Sequence, residues 1–243
     1  MNLFVEHDAA ALASLAGQPR PHCDGLIVRH GRLDDVLAAS IRSNPLAETW
    51  LIDLDLPAER IVTWSGTLSA GLFEIDPATW SRRGQEAFAA FCREIGPQLE
   101  QHDRRVCFHP HSRHVLSDGP SCLRFLQQRP NDRLEVAFAP ASMIEPSMLP
   151  MIDDHLTRMF ELLGGKCVMA ILNDVKLVED AAGPRCEATP LGQGCLPRDL
   201  VLGLMEKHLP PELPIVISPG SLERQFAWLG GESRDLSERG QSD

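Results

Sequence analysis

RRVCFHPHSRH, residues Arg104–His114, is the stretch on which the fold turns. Strand alternation puts Val106 and Phe108 on one face and Cys107 and His109 on the other. Pro110 has no N–H to give a neighbouring strand, so it ends the ladder. His109, His111 and Arg113 therefore fall at or just past the carboxyl end of a strand. In parallel α/β folds that is the level at which ligands bind.

Working outward, strand-like and helix-like segments alternate. Thr79–Leu99 reads as a helix with Phe88, Phe91, Ile95 and Leu99 in register, kinked or restarted at Gly96-Pro97. Asp118-Gly-Pro opens a further helix, with Pro120 in its first turn. Leu134–Ala139, Lys166–Leu172 and Pro214–Ser218 read as strands. Ile152–Leu163, Asp199–His208 and Leu222–Leu229 read as helices. In the first third, Asp24–Arg29 reads as a strand. Leu33–Ser43 reads as a helix with Leu33, Val36, Leu37 and Ile41 on one stripe. Trp50–Leu56 alternates strictly as a strand, and Arg60–Leu68 is a short apolar run with no assigned place. Counting short segments near Met1–Val5 and Arg185–Thr189, about eight strands are available, at intervals of about thirty residues that suit βαβ units. The expectation is an α/β protein: a single (β/α)8 TIM barrel, compact or slightly incomplete, over residues 1–229, with a polar, disordered tail at 230–243. An open doubly wound sheet is the alternative. No G-x-G-x-x-G or Walker loop follows any strand, so a nucleotide-binding version lacks support.

Composition narrows the function classes. The net charge of −11, with no Lys/Arg block, disfavours nucleic acid. No apolar run is long enough to span a bilayer. The opening MNLFVEHDAAALASL lacks the basic n-region of a secretory signal, so a cytoplasmic location is expected. The seven cysteines are odd in number and form no C-x-x-C pair, which suggests buried thiols in a reducing compartment. Nothing local supports a cysteine nucleophile. Tyrosine is absent, which removes one common general acid.

Three stretches in order carry a family resemblance: Cys107–Leu116 (CFHPHSRHVL), Val168–Lys176 (VMAILNDVK) and Pro190–Met205 (PLGQGCLPRDLVLGLM). Their order and spacing look like the xylose-isomerase-like TIM barrels, the sugar isomerase/epimerase and inosose-dehydratase group, over about Ala87–Phe226. The resemblance implies an isomerase, epimerase or lyase acting on a sugar or cyclitol, with a divalent metal such as Mn, Mg, Co or Zn. It also implies where that metal's ligands should stand, and there this chain departs. A strand end resembling the family's D-P-G-H reads Ala139-Pro140-Ala141-Ser142. The position of H-x-K-D reads Ile171-Leu172-Asn173-Asp174, keeping only the Asp. The last strand ends in Ser218 instead of Glu, the L-G-E-G glutamate is Gln193, and His109 stands at the first ligand position. Alternation turns Ala137, Ala139, Met169, Ile171, Val216 and Ser218 inward with Cys107 and His109. A cation needs four to six N or O donors, usually with anions among them, so no metal and no other cofactor is expected.

The remaining candidates follow from residue chemistry. His109, His111 and His114 can form a proton-transfer or binding cluster, or be leftover polar residues that are hydrogen-bonded or solvated. Asp53 and Asp55 share one face of the Trp50–Leu56 strand, as catalytic acids or replacement metal ligands, or as acids shown to water; Glu74 is a weaker neighbour. Arg113 suits a carboxylate or phosphate, or a surface ion pair. Asp174 can orient a ligand hydroxyl or cap the following turn. Ser218 and Gln193 complete the expected ligand-binding set. A His-x-His metal pair of amidohydrolase type would need later His and Asp ligands, but His155 and His208 fall in helix patterns. The expected partner is a small sugar or polyol, with no nucleic acid and no membrane; a homo-oligomer is left open. The alternative function is a catalytically inactive barrel that binds a ligand or a protein.

Overall fold

The computed structural model describes residues 1–16, 23–48, 50, 54, 56, 58–180 and 183–230. In chain order these form β1 (Asn2–Asp8), α1 (Ala9–Ala16), β2 (Gly25–Arg29), β3 (Arg32–Ile41), β4 (Arg60–Trp64), α2 (Pro77–Trp80), α3 (Arg82–Gln101) and β5 (Arg105–His109). There follow α4 (Gly119–Gln128), β6 (Leu134–Val136), α5 (Ile152–Leu163), β7 (Ala170–Ile171), β8 (Asp174–Asp180), β9 (Gly183–Thr189), α6 (Arg198–His208), β10 (Pro214–Ile217) and α7 (Leu222–Trp228).

β5 is a strand as its alternation requires, and it pairs in parallel with β4 and β6. The main sheet has the order β6-β5-β4-β3-β2-β1-β10-β7. Its two ends curl until they meet. Phe138, just past β6, bridges Ala170 in parallel; its N–H donates to Met169 O at 2.8 Å, and Ile171 N–H donates to Phe138 O at 2.8 Å. One buried residue from each strand path fills the inside: Phe4, Ile27, Ala38, Val62, Cys107, Ala137, Met169 and Val216. The inward reading of Ala137, Ala139, Met169, Ile171, Val216 and Cys107 agrees with this interior. The helices pack outside. α5 shows why: Leu156, Met159, Phe160 and Leu163 form one buried stripe. α4 begins at a capping box in which the Asp118 carboxylate accepts from Ser121 N at 2.7 Å. Below the apolar layer, Glu135 accepts from Arg60 at 2.6 Å and from Arg105 at 3.1 Å.

The first third differs from the sequence expectation. Leu33–Ser43 is not a helix; most of it is β3. His30-Gly31 reverses the chain, with Gly31 at φ 76°, and β3 is held on both sides, by β2 and by β4. Leu33 of the supposed helical stripe is 60% exposed, whereas the consecutive residues Ala38 to Ile41 are all buried. Burial of every residue marks a strand covered on both faces. β2 is also antiparallel to both neighbours, so the sheet is not wholly parallel and no helix separates β2 from β3. A regular (β/α)8 repeat is therefore not what the first third builds.

Arg185–Thr189, counted above towards the barrel, lies in β9. Among the described residues it pairs only with β8, in a separate two-stranded ribbon. The Thr79–Leu99 helix breaks at Ser81, whose hydroxyl caps α3, and α3 then runs through the exposed Pro97 without restarting. Asp53 and Asp55 lie outside the described residues, as do residues 231–243. Of the Trp50–Leu56 stretch, Leu54 and Leu56 are buried, and their carbonyls accept from Arg104 at 2.8 and 3.2 Å.

Candidate functional site

A cleft of about 480 Å³ opens over the carboxyl ends of β3, β4 and β5, with the β8–β9 ribbon as its far wall. His109, His111 and Arg113 line it, as their place beyond β5 predicts. His109 Nε2 lies 2.9 Å from Ser142 Oγ, and its ring lies over Trp64 with centroids 4.4 Å apart. Trp64 reaches this position because it is the last, inward residue of β4, paired with His109 in the strand register. Phe73, from the loop after β4, closes the cluster: its ring stands 4.8 Å from His111 and 5.6 Å from His114.

Burial among these rings sets the protonation. It pushes His109 down to about 3, with smaller contributions from His114 and Arg42. It pushes His111 down to about 3 as well, helped by His114, His109 and Arg113. His114 falls to about 4, again by burial, against the opposing bond to Leu72 O. All three are neutral near pH 7. His111 Nδ1 accepts from Arg113 N–H at 3.1 Å, so its proton sits on Nε2. His114 Nε2 donates to Leu72 O at 2.8 Å, which leaves Nδ1 as a buried acceptor with no hydrogen-bond partner among the described residues.

The charges in the cleft are paired. Glu6 Oε1 accepts from Ser40 Oγ at 2.6 Å and from Arg42 Nη2 at 2.9 Å. Glu145 accepts from Ser112 Oγ at 2.6 Å and from Arg113 Nε at 3.1 Å. Arg185 of β9 binds Asp180 and, at 2.6 Å, Glu187. What remains is a set of neutral donors and acceptors, among them Ser142, Asn173 and the imidazoles.

The other predicted residues are not part of this wall. Asp174 is buried, and its carboxylate accepts from the N–H groups of Val175 and Leu196 at 2.8 Å, Gly194 at 2.9 Å and Gly192 at 3.1 Å. A Cβ at Gly194 would collide with that carboxylate, so glycine belongs there. Gln193 Nε2 donates to Ser221 Oγ at 2.8 Å, and Ser218 Oγ lies 3.4 Å from Gln225 Oε1. Sequence reasoning missed Glu6, Ser40, Arg42, Trp64 and Glu145. Glu6 and Trp64 carried a signal: they alternate with the inward Phe4 on β1 and Val62 on β4.

The described residues do not fit the divalent cation that the resemblance implies. Ala139, Ile171 and Ser218 offer no anion, and Glu6, Glu145 and Asp174 are committed to other partners. Among the described residues no three His, Cys, Asp or Glu converge to hold a metal.

No protein-family model matches the chain, and no curated protein matches it in sequence. Solved structures do match in fold. A probable 3-DHS dehydratase from Bacillus anthracis aligns over 80% of this chain and 75% of its own, at 14% identity and TM-score 0.54. An L-ribulose 3-epimerase aligns over 85% and 69%, at 13% identity and TM-score 0.51. A xylose isomerase-like TIM-barrel protein from Mycobacterium smegmatis, solved with magnesium, covers 81% and 73% at 12% identity and TM-score 0.47. At these identities the likeness is one of fold: the chain shares the α/β fold of the probable 3-DHS dehydratase and the L-ribulose 3-epimerase.

Proposed function

We propose that the chain is a variant (β/α)8 barrel of the sugar isomerase/epimerase type that binds a neutral sugar or cyclitol in this cleft, without a divalent cation. The observation that carries the reading is the pairing of Arg42 with Glu6 and of Arg113 with Glu145. With these guanidinium groups neutralised, no cation among the described residues lining the cleft is spare for a phosphate or carboxylate. Trp64 and Phe73 offer aromatic walls to the apolar face of a ring, while Ser142, His109, His111 and Asn173 meet its hydroxyl groups. Imidazoles held near 3 are weak bases at pH 7, so in this conformation they serve as hydrogen-bonding groups more than as proton carriers. This favours a catalytically silent binding barrel over a working isomerase. No helix among the described residues is long and apolar enough to cross a membrane, and none of the cysteines there forms a disulfide. We place the protein in the cytoplasm.

Calorimetry on protein dialysed against EDTA, with monosaccharides, inositols and their phosphates, tests the reading. A neutral polyol should bind and its phosphate should bind more weakly. His109→Ala should weaken binding by at least about tenfold with little loss of stability. Binding only of phosphates, or only after Mn²⁺ or Zn²⁺ is added, would overturn it. So would a metal-induced rise in melting temperature, because an ion that binds the native state must stabilise it.

A further inference from the structure

On the outer side of the sheet, α4 packs along α5 and α5 along α6, whereas the α3 and α4 backbones stand farther apart. Between them lies a second cleft of about 250 Å³. Its floor is apolar: Phe88 and Phe125 meet at 5.3 Å between ring centroids, beside Cys92, Val115 and Leu116. Burial pushes the Cys92 thiol up to about 12, so it stays neutral and belongs to the apolar floor.

The rim is cationic. Arg93 comes from α3, Arg124 from α4 and Arg129 from the α4 C-cap. Among the described residues no carboxylate lines the cleft, although the whole chain carries a net charge of −11. Arg129 is engaged with Leu134 O at 2.9 Å and Asp132 at 3.4 Å. Arg93 and Arg124 make no ion pair and no side-chain hydrogen bond among the described residues. This is the reverse of the cleft over the strand ends, where each arginine has its own acid.

We propose that the α3–α4 cleft is a second binding site, for a small amphiphilic carboxylate with a short alkyl or single-ring body. The body would lie on Phe88 and Phe125, and its carboxylate would meet the guanidinium forks of Arg93 and Arg124. A planar guanidinium suits a carboxylate through two parallel N–H···O bonds. The volume argues for a small ligand, since pockets for drug-sized molecules run to ~300–1,000 Å³.

The test is isothermal titration of the intact chain with octanoate, octanol, octyltrimethylammonium and acetate. Octanoate should bind one molecule per chain with Kd at or below about 1 mM. Octanol and acetate should bind more weakly, because each lacks half of the recognition. The trimethylammonium compound should not bind. Arg93→Glu with Arg124→Glu, two exposed positions, should weaken octanoate by at least about tenfold, and added salt should weaken it in the unaltered chain. His109→Ala should leave octanoate affinity unchanged, which separates this site from the strand-end cleft. The proposal is overturned if octanoate fails to bind, if the cationic and anionic amphiphiles bind alike, or if the double variant retains full affinity.

Discussion

Mild acid should destabilise this protein through His114. The side chain is fully buried, with its ring stacked on Phe73 and beside Trp64, and one ring nitrogen donating to Leu72 O. Burial lowers its pKa from 6.5 to about 4. The unfolded chain therefore takes up a proton as pH falls through 6.5, while the folded chain resists until about 4. The contribution to stability is intact above 6.5 and is lost across that window, levelling off below about 4. At about pH 5 the unfolded imidazole sits ~1.5 pH units below its own pKa, so protonation favours unfolding by RT ln(1 + 10^1.5), about 2 kcal/mol. His109 and His111, both held to about 3, act in the same direction. Together they threaten a sizeable part of the ~5–15 kcal/mol that holds a typical domain folded. Urea unfolding followed by tryptophan fluorescence at about pH 7.5 and about pH 5 reads the difference. His114→Gln keeps a donor for Leu72 O but cannot titrate, so its stability should fall less over the same interval by about 2 kcal/mol. A wild-type free energy that is flat between the two pH values would refute the burial of these rings. A glutamine variant with the undiminished slope would refute the assignment to His114.

Glu135→Gln should lower stability by about 3–5 kcal/mol in urea melts, because it leaves Arg60 and Arg105 without their shared, nearly buried counter-charge. A loss under about 1 kcal/mol would mean that water reaches both guanidinium groups. Asp174→Ala removes the acceptor of four backbone N–H groups and should cost ~2–4 kcal/mol. Hydrogen exchange should accelerate at Gly192, Gly194 and Leu196, while polyol binding in the main cleft survives. Leu33→Glu should change stability by less than about 0.5 kcal/mol, whereas Ala39→Glu should prevent folding; a large loss at Leu33 with a small one at Ala39 would restore a helical stripe.

Much of the second half was legible because its signals are local. β5 ends where Pro110 withdraws its N–H, and α4 opens on the Asp118 cap. α5 has the bounds Ile152–Leu163 that its periodicity predicts. The first third was misread because an Ala- and Leu-rich run serves equally well as a helix or as a strand covered on both faces. Ala38 is buried in the interior layer, and Ala39 and Ile41 are buried in the outer core, with β2 and β4 paired along the edges of the strand. Periodicity within one segment carries no record of those neighbours.

From sequence alone came the alternation that aims His109 at the strand ends and the apolar filling of the interior. These depend on residue type and on the twofold period of a strand, both of which are local. Tertiary structure decided which residues meet. It joined Glu6 of β1 to Arg42 beyond β3, set Ser142 against His109, and brought the Phe73 loop over the imidazoles. The lowered pKa values follow from that enclosure. Desolvation belongs to the whole surround of a side chain, and the chain assembles that surround from segments more than a hundred residues apart.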